Sequence, residues 1–242
     1  MRRALSSLIL LPLLMGAPSP ASAGGLDVRL GAFVPRARDC GVPFDEPPKF
    51  TLFQDVCDLF IVSKEDWRGF TWGIEYNHVL AKFLEVAIHV DGYQKTVDTS
   101  YRDWTRPDGS DIFQSLRLNV VPFGLTLQLV PTSKRTKVAP FAGGGIDLVY
   151  WKYEEFGDFI DFFDPDLPVF SDHFIGDGVT FGFHATGGVR FYLNRDFAIV
   201  VRGNYQWSDA TMGDDFSPNE PGLINRLDLS GVSLTFGLHV RF

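Results

Sequence analysis

His89, His184 and His239 each share a side of an alternating segment with hydroxyl and acidic residues. An imidazole beside a hydroxyl and a carboxylate is the set that hydrolyses acyl esters. No serine stands in a recognisable nucleophile setting, so a lipid-modifying barrel enzyme is the least favoured function. The histidines then serve as hydrogen-bonding groups. The same side carries charges of both signs, Arg29, Arg117, Arg190, Arg202 and Arg241 against Asp27, Glu75, Glu85, Asp91 and Asp147. Enclosed together, such groups must neutralise one another as a plug, because an unpaired buried charge is costly.

A second group lies between residues 152 and 177, where Asp158, Asp161 and Asp164 alternate with Phe156, Phe159, Phe162 and Phe163 in an acidic, aromatic stretch. Clustered carboxylates suit a hard cation such as calcium, or the cation layer of a bacterial surface, although the spacing is not that of an EF-hand. The phenylalanines could form an apolar funnel for a hydrophobic ligand. The plainer and preferred reading is a solvated loop whose rings fold over a barrel mouth. Cys40 and Cys57 are the only cysteines. In an exported chain they can form a disulfide, closing about 18 residues for about 3 kcal/mol; two free or metal-binding thiols are the alternative. No Walker loop, zinc spacing or dinucleotide fingerprint is present, and no catalytic set, metal or cofactor is expected.

The elements that hold these residues are strands. In the last segment Val232, Leu234, Phe236, Leu238, Val240 and Phe242 alternate with Ser233, Thr235, Gly237, His239 and Arg241, so one face is apolar and the other polar. The pattern recurs and predicts eight strands near 25–35, 67–78, 83–94, 112–130, 138–152, 178–193, 197–208 and 227–242. In the fourth, Leu116, Leu118 and Val120 hold one parity and Phe123, Leu125, Leu127 and Leu129 the other, which predicts a β-bulge at Val121-Pro122.

Alternation alone fits a soluble sandwich as well; the connections decide. Short links at 79–82, 131–137 and 194–196 alternate with long ones at 35–66, 95–111, 152–177 and 209–226, the asymmetry of a transmembrane barrel with short periplasmic turns and long extracellular loops. Trp67, Trp151 and Trp207 at the long-loop ends, and Tyr76, Phe83, Tyr192 and Phe242 at the other, would form the two aromatic girdles. The expected fold is therefore all-β, an eight-stranded antiparallel up-and-down barrel whose narrow interior disfavours a wide pore.

Arg2 and Arg3, the apolar run Leu8 to Met15 and Ala21-Ser22-Ala23 read as a signal peptide over residues 1–23, cleaved to leave a barrel domain over 24–242. No later stretch is long and apolar enough for a transmembrane helix. The formal charge of −8 becomes more negative once the leader's arginines are gone, which argues against nucleic acid as a partner.

The segment VVPFGLTLQLVPTSKRTKVAPFAGGGIDLVYW, Val120 to Trp151, resembles the small eight-stranded outer-membrane barrels, and most closely the OmpW-like group. Pro140, Phe141, Gly143 and Gly145 match its Pro-aromatic-Ala/Val-Gly-x-Gly strand, while Asp147 stands where a small residue is more typical. The resemblance implies residence in the bacterial outer membrane. It implies recognition of Phe242 by the assembly machinery, and a narrow barrel that passes or binds small hydrophobic compounds. The alternative is a structural or surface-interaction barrel without transport. The oligomeric state is not fixed by the sequence.

Overall fold

The computed structural model describes residues 24–42, 51–131, 136–162, 164–212, 216 and 226–242, so the expected leader and Phe163 lie outside the described residues. Along the chain come β1 (Gly24–Pro35), α1 (Leu52–Leu59), a 3-10 turn (Lys64–Trp67), β2 (Gly69–Ala81), β3 (Leu84–Thr105), β4 (Asp111–Leu129) and β5 (Val138–Ile160). Then follow β6 (Val169–Tyr192), β7 (Phe197–Thr211), β8 (Arg226–Asp228) and β9 (Gly231–Arg241). Sequential strands β1 to β7 pair antiparallel, β7 pairs β9, and β9 returns to β1. The ring is closed by eight strands, with β8 prolonging the eighth beside the end of β7.

The apolar side of each strand faces outward where lipid must lie. Leu26, Val28 and Leu30 of β1, Phe123, Leu125 and Leu127 of β4, and Leu234, Phe236 and Leu238 of β9 are all exposed. Their inward neighbours are buried and polar. On β4 the lipid-facing run Phe123 to Leu129, preceded by Val121, covers the nine to eleven residues, roughly, of a tilted crossing.

Beyond that belt the polarity inverts. Leu116, Leu118 and Val120 point inward and are buried, while Ser115, Arg117 and Asn119 point out. No bulge accompanies the switch, which corrects the expectation at Val121-Pro122: the β4–β5 register runs unbroken from Gln114↔Gly157 to Leu129↔Ala142. The residues change character because the surroundings change from lipid to water. On the outer wall, Ser115 donates to Asp98 (2.6 Å), Arg117 to Thr96 (3.2 Å) and Lys152 to Glu154 (2.8 Å).

Two of the expected long loops are corrected for the same reason. β5 and β6 have 23 and 24 residues, about 75 Å of extended chain each, more than twice what a crossing uses. The stretch 152–177 is therefore mostly a protruding β-hairpin turning at 161–168, and 95–111 is the end of a similar one.

Inside these extensions lies an apolar core, closed by α1. Thr51 caps the helix by accepting from the Gln54 amide at 3.3 Å, and Leu52, Phe53 and Val56 fall on one face toward the barrel. Ser63 and Asp66 fix the following turn and deliver Trp67 to the core. Trp67 and Trp151 are buried, Trp67 edge-on to Phe53 at 5.4 Å, so neither is a girdle residue; Trp207, 46% exposed, faces out. A disulfide joins Cys40 to Cys57 of α1 and ties the plug to the end of β1.

Candidate functional site in the barrel lumen

Strand register stacks the inward side chains in rows across the wall. One row runs Asp27, Glu75, His89, Gly124, Asp147, Gly182; the next runs Asn77, Ala87, Thr126, Gly145, His184, Gln206. Small residues alternate with large ones, and the space is needed. A Cβ on Gly124 would lie 2.0 Å from Asp147 Oδ1 and 2.4 Å from His89 Cε1, and one on Gly145 would lie 2.8 Å from His184 Cε1.

The charges resolve into three groups. At the centre Glu75, fully buried, accepts from Arg29 (3.0 Å), from both Nη atoms of Arg202 (Nη2 at 2.8 Å), and from Gln128 (2.9 Å); Arg29 also donates to Asp91 (2.9 Å). Toward the short-turn end Arg190 donates to Glu85 (2.8 Å), Asn77 (3.1 Å) and Gln128 (3.3 Å), and its guanidinium lies over Phe141 at 5.0 Å. His239 pairs with Asp27, and Arg241 caps the short-turn end by donating to the Tyr192 hydroxyl. Two facing acceptors or two facing cations would be untenable in this space; apart from Arg241 at the short-turn end, each charge instead meets its opposite.

The third group is His89, Asp147, His184 and Thr126. His184 Nδ1 lies 2.9 Å and 3.0 Å from the Asp147 oxygens, and His89 Nε2 lies 3.3 Å from Oδ1. Thr126 Oγ1 sits 2.9 Å from His184 Nε2 and 3.3 Å from His89 Nδ1. Thr126, His184 and Asp147 follow the atom order of a nucleophile relay. Thr126 is nonetheless buried, and the cavity beside it holds about 30 Å³, the share of one water, so an acyl chain has no room there.

Of the nine residues proposed as lumen plug, the structure puts Arg29, Glu75, Glu85, Asp91, Asp147, Arg190, Arg202 and Arg241 on the inward face. Arg117 is a correction. It points outward from β4 above the belt, where it meets Thr96 and Glu154 (3.5 Å) and lies 5.1 Å from the Phe156 ring. Its parity is that of Phe123, not of Leu116; the sequence pairs it with the lumen only if a bulge intervenes.

The acidic, aromatic stretch is dispersed by its hairpin. Phe156 is on the outer wall beside His173 (5.7 Å), Phe159 packs on Phe174 (4.8 Å), and Phe162 meets Trp104 (5.5 Å). Asp158 is engaged by Arg106 and by Ser171 (2.5 Å). Asp164 caps the turn by accepting from the Asp166 amide at 2.9 Å, and the Asp161 amide donates to the Pro168 carbonyl at 3.0 Å. Phe163 lies outside the described residues.

Sequence reasoning missed two features. One is the convergence of His89, Asp147 and His184, which come from three strands; the signal was two inward histidines and an aspartate opposite glycines. The other is a pair of acids under the plug. Enclosure raises Asp55 to about 6, with help from the charge of Asp58. Enclosure and Asp55 raise Glu155 to about 7, against the Tyr153 hydroxyl that donates to it at 2.7 Å.

The ladder between β3 and β4 is interrupted partway along the wall. Pairing between β3 and β4 stops at Val90↔Phe123 and resumes at Tyr93↔Val120, because Pro122 has no N–H to give. Outside the gap is a groove of about 550 Å³, apolar at Phe70, Trp72 and Val121 and polar above them at Gln94, Thr96 and Asn119. Inside, Gly92, Tyr93, Val120 and Pro122 line the small lumen cavity.

No protein-family model matches the sequence, and no curated protein matches it. Solved structures do. Neisserial surface protein A is 11% identical, with 91% of this chain and 97% of that one covered, at a TM-score of 0.46. Outer membrane protein W of E. coli is 20% identical, with 90% and 98% covered, at 0.38. The outer membrane protein OprG of Pseudomonas aeruginosa is 12% identical, with 91% and 97% covered, at 0.52, and with the closed ring and apolar belt this likeness shows that the chain has the fold of a small outer-membrane β-barrel.

Proposed function

We propose that this protein resides in the bacterial outer membrane and takes small hydrophobic compounds sideways through its wall while its axis stays shut. The observation that carries this reading is the ladder gap at Pro122, with a groove on its lipid side; the lumen cavity behind it shares Gly92 and Tyr93, is closed down to about 30 Å³ at rest, and has to widen as a solute passes. An apolar solute gathers in lipid rather than in water, so an opening at the outer edge of the belt meets it where it leaves the lipid. Gly92 bares the backbone there. The Trp72 ring lies across it, 2.5 Å from where a Cβ would be, and is placed to act as a movable cover.

The axial route is blocked twice, by the ion-pair network around Glu75 and by the apolar core under α1. Ions are therefore excluded while an apolar compound has a separate way in. Phe242, 69% exposed and stacked on Tyr76 at 6.2 Å, is available for recognition by assembly machinery.

The test is the rate at which cells expressing the protein take up the apolar dye phenylnaphthylamine. Pro122→Val restores an amide to the ladder and should lower the rate severalfold at equal amounts of folded barrel, with single-channel recordings silent for both forms. Equal uptake by parent, variant and cells lacking the protein would remove the lateral route and leave a closed structural barrel displaying its β5–β6 hairpin.

A further inference from the structure

We propose that the lumen holds a site for one divalent transition-metal ion of the zinc class, ligated by His89 Nε2, His184 Nδ1 and one oxygen of Asp147. Their donor atoms all lie within 4.8 Å of one another, and among the described residues this is the grouping of three that could hold a metal ion. The separations from Asp147 Oδ1, 3.0 Å to His184 Nδ1 and 3.3 Å to His89 Nε2, need only tenths of an ångström of expansion to admit an ion at about 2.0–2.2 Å from each donor.

Thr126 makes the set specific. A ligating imidazole must offer a lone pair to the metal and donate its other N–H to an oxygen. Thr126 Oγ1 lies by the second nitrogen of both rings, 2.9 Å from His184 Nε2 and 3.3 Å from His89 Nδ1, and a hydroxyl oxygen has two lone pairs. One side chain thus fixes both tautomers with the ligand nitrogens turned toward Asp147. With an ion bound, each ring carries its one proton on the Thr126 side and both N–H groups are donated to the same hydroxyl oxygen.

The surroundings are built for the cluster. A Cβ on Gly124 would strike Asp147 Oδ1 at 2.0 Å and His89 Cε1 at 2.4 Å before anything else. The adjoining cavity of about 30 Å³, bordered by His89, His184 and Thr126, offers a water to complete four-coordination. Two imidazoles and one carboxylate suit zinc, nickel or copper; calcium wants six to eight oxygens, roughly, and magnesium an octahedron of them. Bound there, the ion would cross-link β3, β5 and β6 across the lumen. The ion pairs of Glu75 and Arg190 fill the folded lumen, so loading is expected to be faster during refolding than afterwards. The proposal is independent of the lateral route.

The experiment refolds the full barrel in detergent with zinc chloride, removes loose ions by chelation and gel filtration, and measures zinc per folded chain. One zinc per chain is expected, and cobalt(II) in its place should show the visible bands of a four-coordinate ion. His89→Gln and His184→Gln keep size and a hydrogen bond, and each should abolish retention while the barrel still migrates as folded. Thr126→Val should weaken binding ~10- to 100-fold without removing a ligand. A folded parent without zinc overturns the site. So does undiminished zinc in the His89→Gln/His184→Gln double variant, or displacement of the ion by a modest excess of calcium.

Discussion

Replacing Glu75 by alanine tests the lumen network at its most connected point. Glu75 accepts from Arg29, Arg202 and Gln128. Once it is gone, Arg29 keeps Asp91 at 2.9 Å, but Arg202, 5% exposed, keeps only the face of Phe141 at 5.2 Å, worth ~0.5–2 kcal/mol. Removing one partner of a buried pair costs ~3–5 kcal/mol, chiefly because the other charge is left uncompensated. Glu75→Ala should therefore destabilise the barrel by ~3–5 kcal/mol in urea unfolding from lipid vesicles. Arg202→Ala should cost less, about 2 kcal/mol, since Glu75 retains Arg29 and Gln128. The double variant Glu75→Ala/Arg202→Ala should then be no worse than Glu75→Ala alone, a coupling of about 2 kcal/mol or more. Additive losses, or a Glu75→Ala protein within about 1 kcal/mol of the parent, would refute the view that Arg202 depends on Glu75.

Arg117→Ala should change stability by less than about 1 kcal/mol, as expected of a pair on the watered outer wall; a loss like that of Glu75→Ala would return Arg117 to the lumen. Asp55 and Glu155, raised to about 6 and about 7 from ordinary values of 3.8 and 4.5, bind protons more tightly folded than unfolded. Docking of α1, read by Trp67 fluorescence, should be firmest below about pH 4 and weaken as pH rises to about 7, and Asp55→Asn with Glu155→Gln should flatten that slope. Opening the disulfide by Cys40→Ser/Cys57→Ser should cost up to about 3 kcal/mol in the plug, seen as faster proteolysis near α1, with the barrel's resistance to heat and detergent unchanged.

Most of the architecture was legible because strand alternation survives any environment. Val232 to Phe242 alternates in the sequence and lines β9 with lipid-facing and lumen-facing side chains in turn. Strand ends were less legible. Lys95 to Thr105 and Lys152 to Ile160 turn mostly polar residues outward and so lack the pattern by which a lipid-facing strand is recognised, yet they continue the ladder. The helix had local signals of its own, Thr51 as cap and Leu52, Phe53, Val56 and Phe60 at helical spacing, but an eight-residue helix inside a long connection is outweighed by the pattern around it. The His89–Asp147–His184 cluster needed the register of three strands, which no single segment contains.

A period of two says that two faces differ; it does not say which one meets lipid. Below Val121 the greasy parity of β4 faces out, and above it the greasy parity faces in, with the register unbroken. An exchange of parity therefore has two physical origins, an inserted residue or a change of solvent, and they make opposite assignments for every residue beyond it. Arg117 and Leu116 distinguish them here. A bulge would send Arg117 into a chamber already filled by Trp67, Tyr153 and Leu118, burying a guanidinium among packed apolar groups, and would turn Leu116 out to water. The change of solvent puts both where their free energy is lowest, and its position at Val121 and Tyr150 marks the outer boundary of the lipid on the barrel wall.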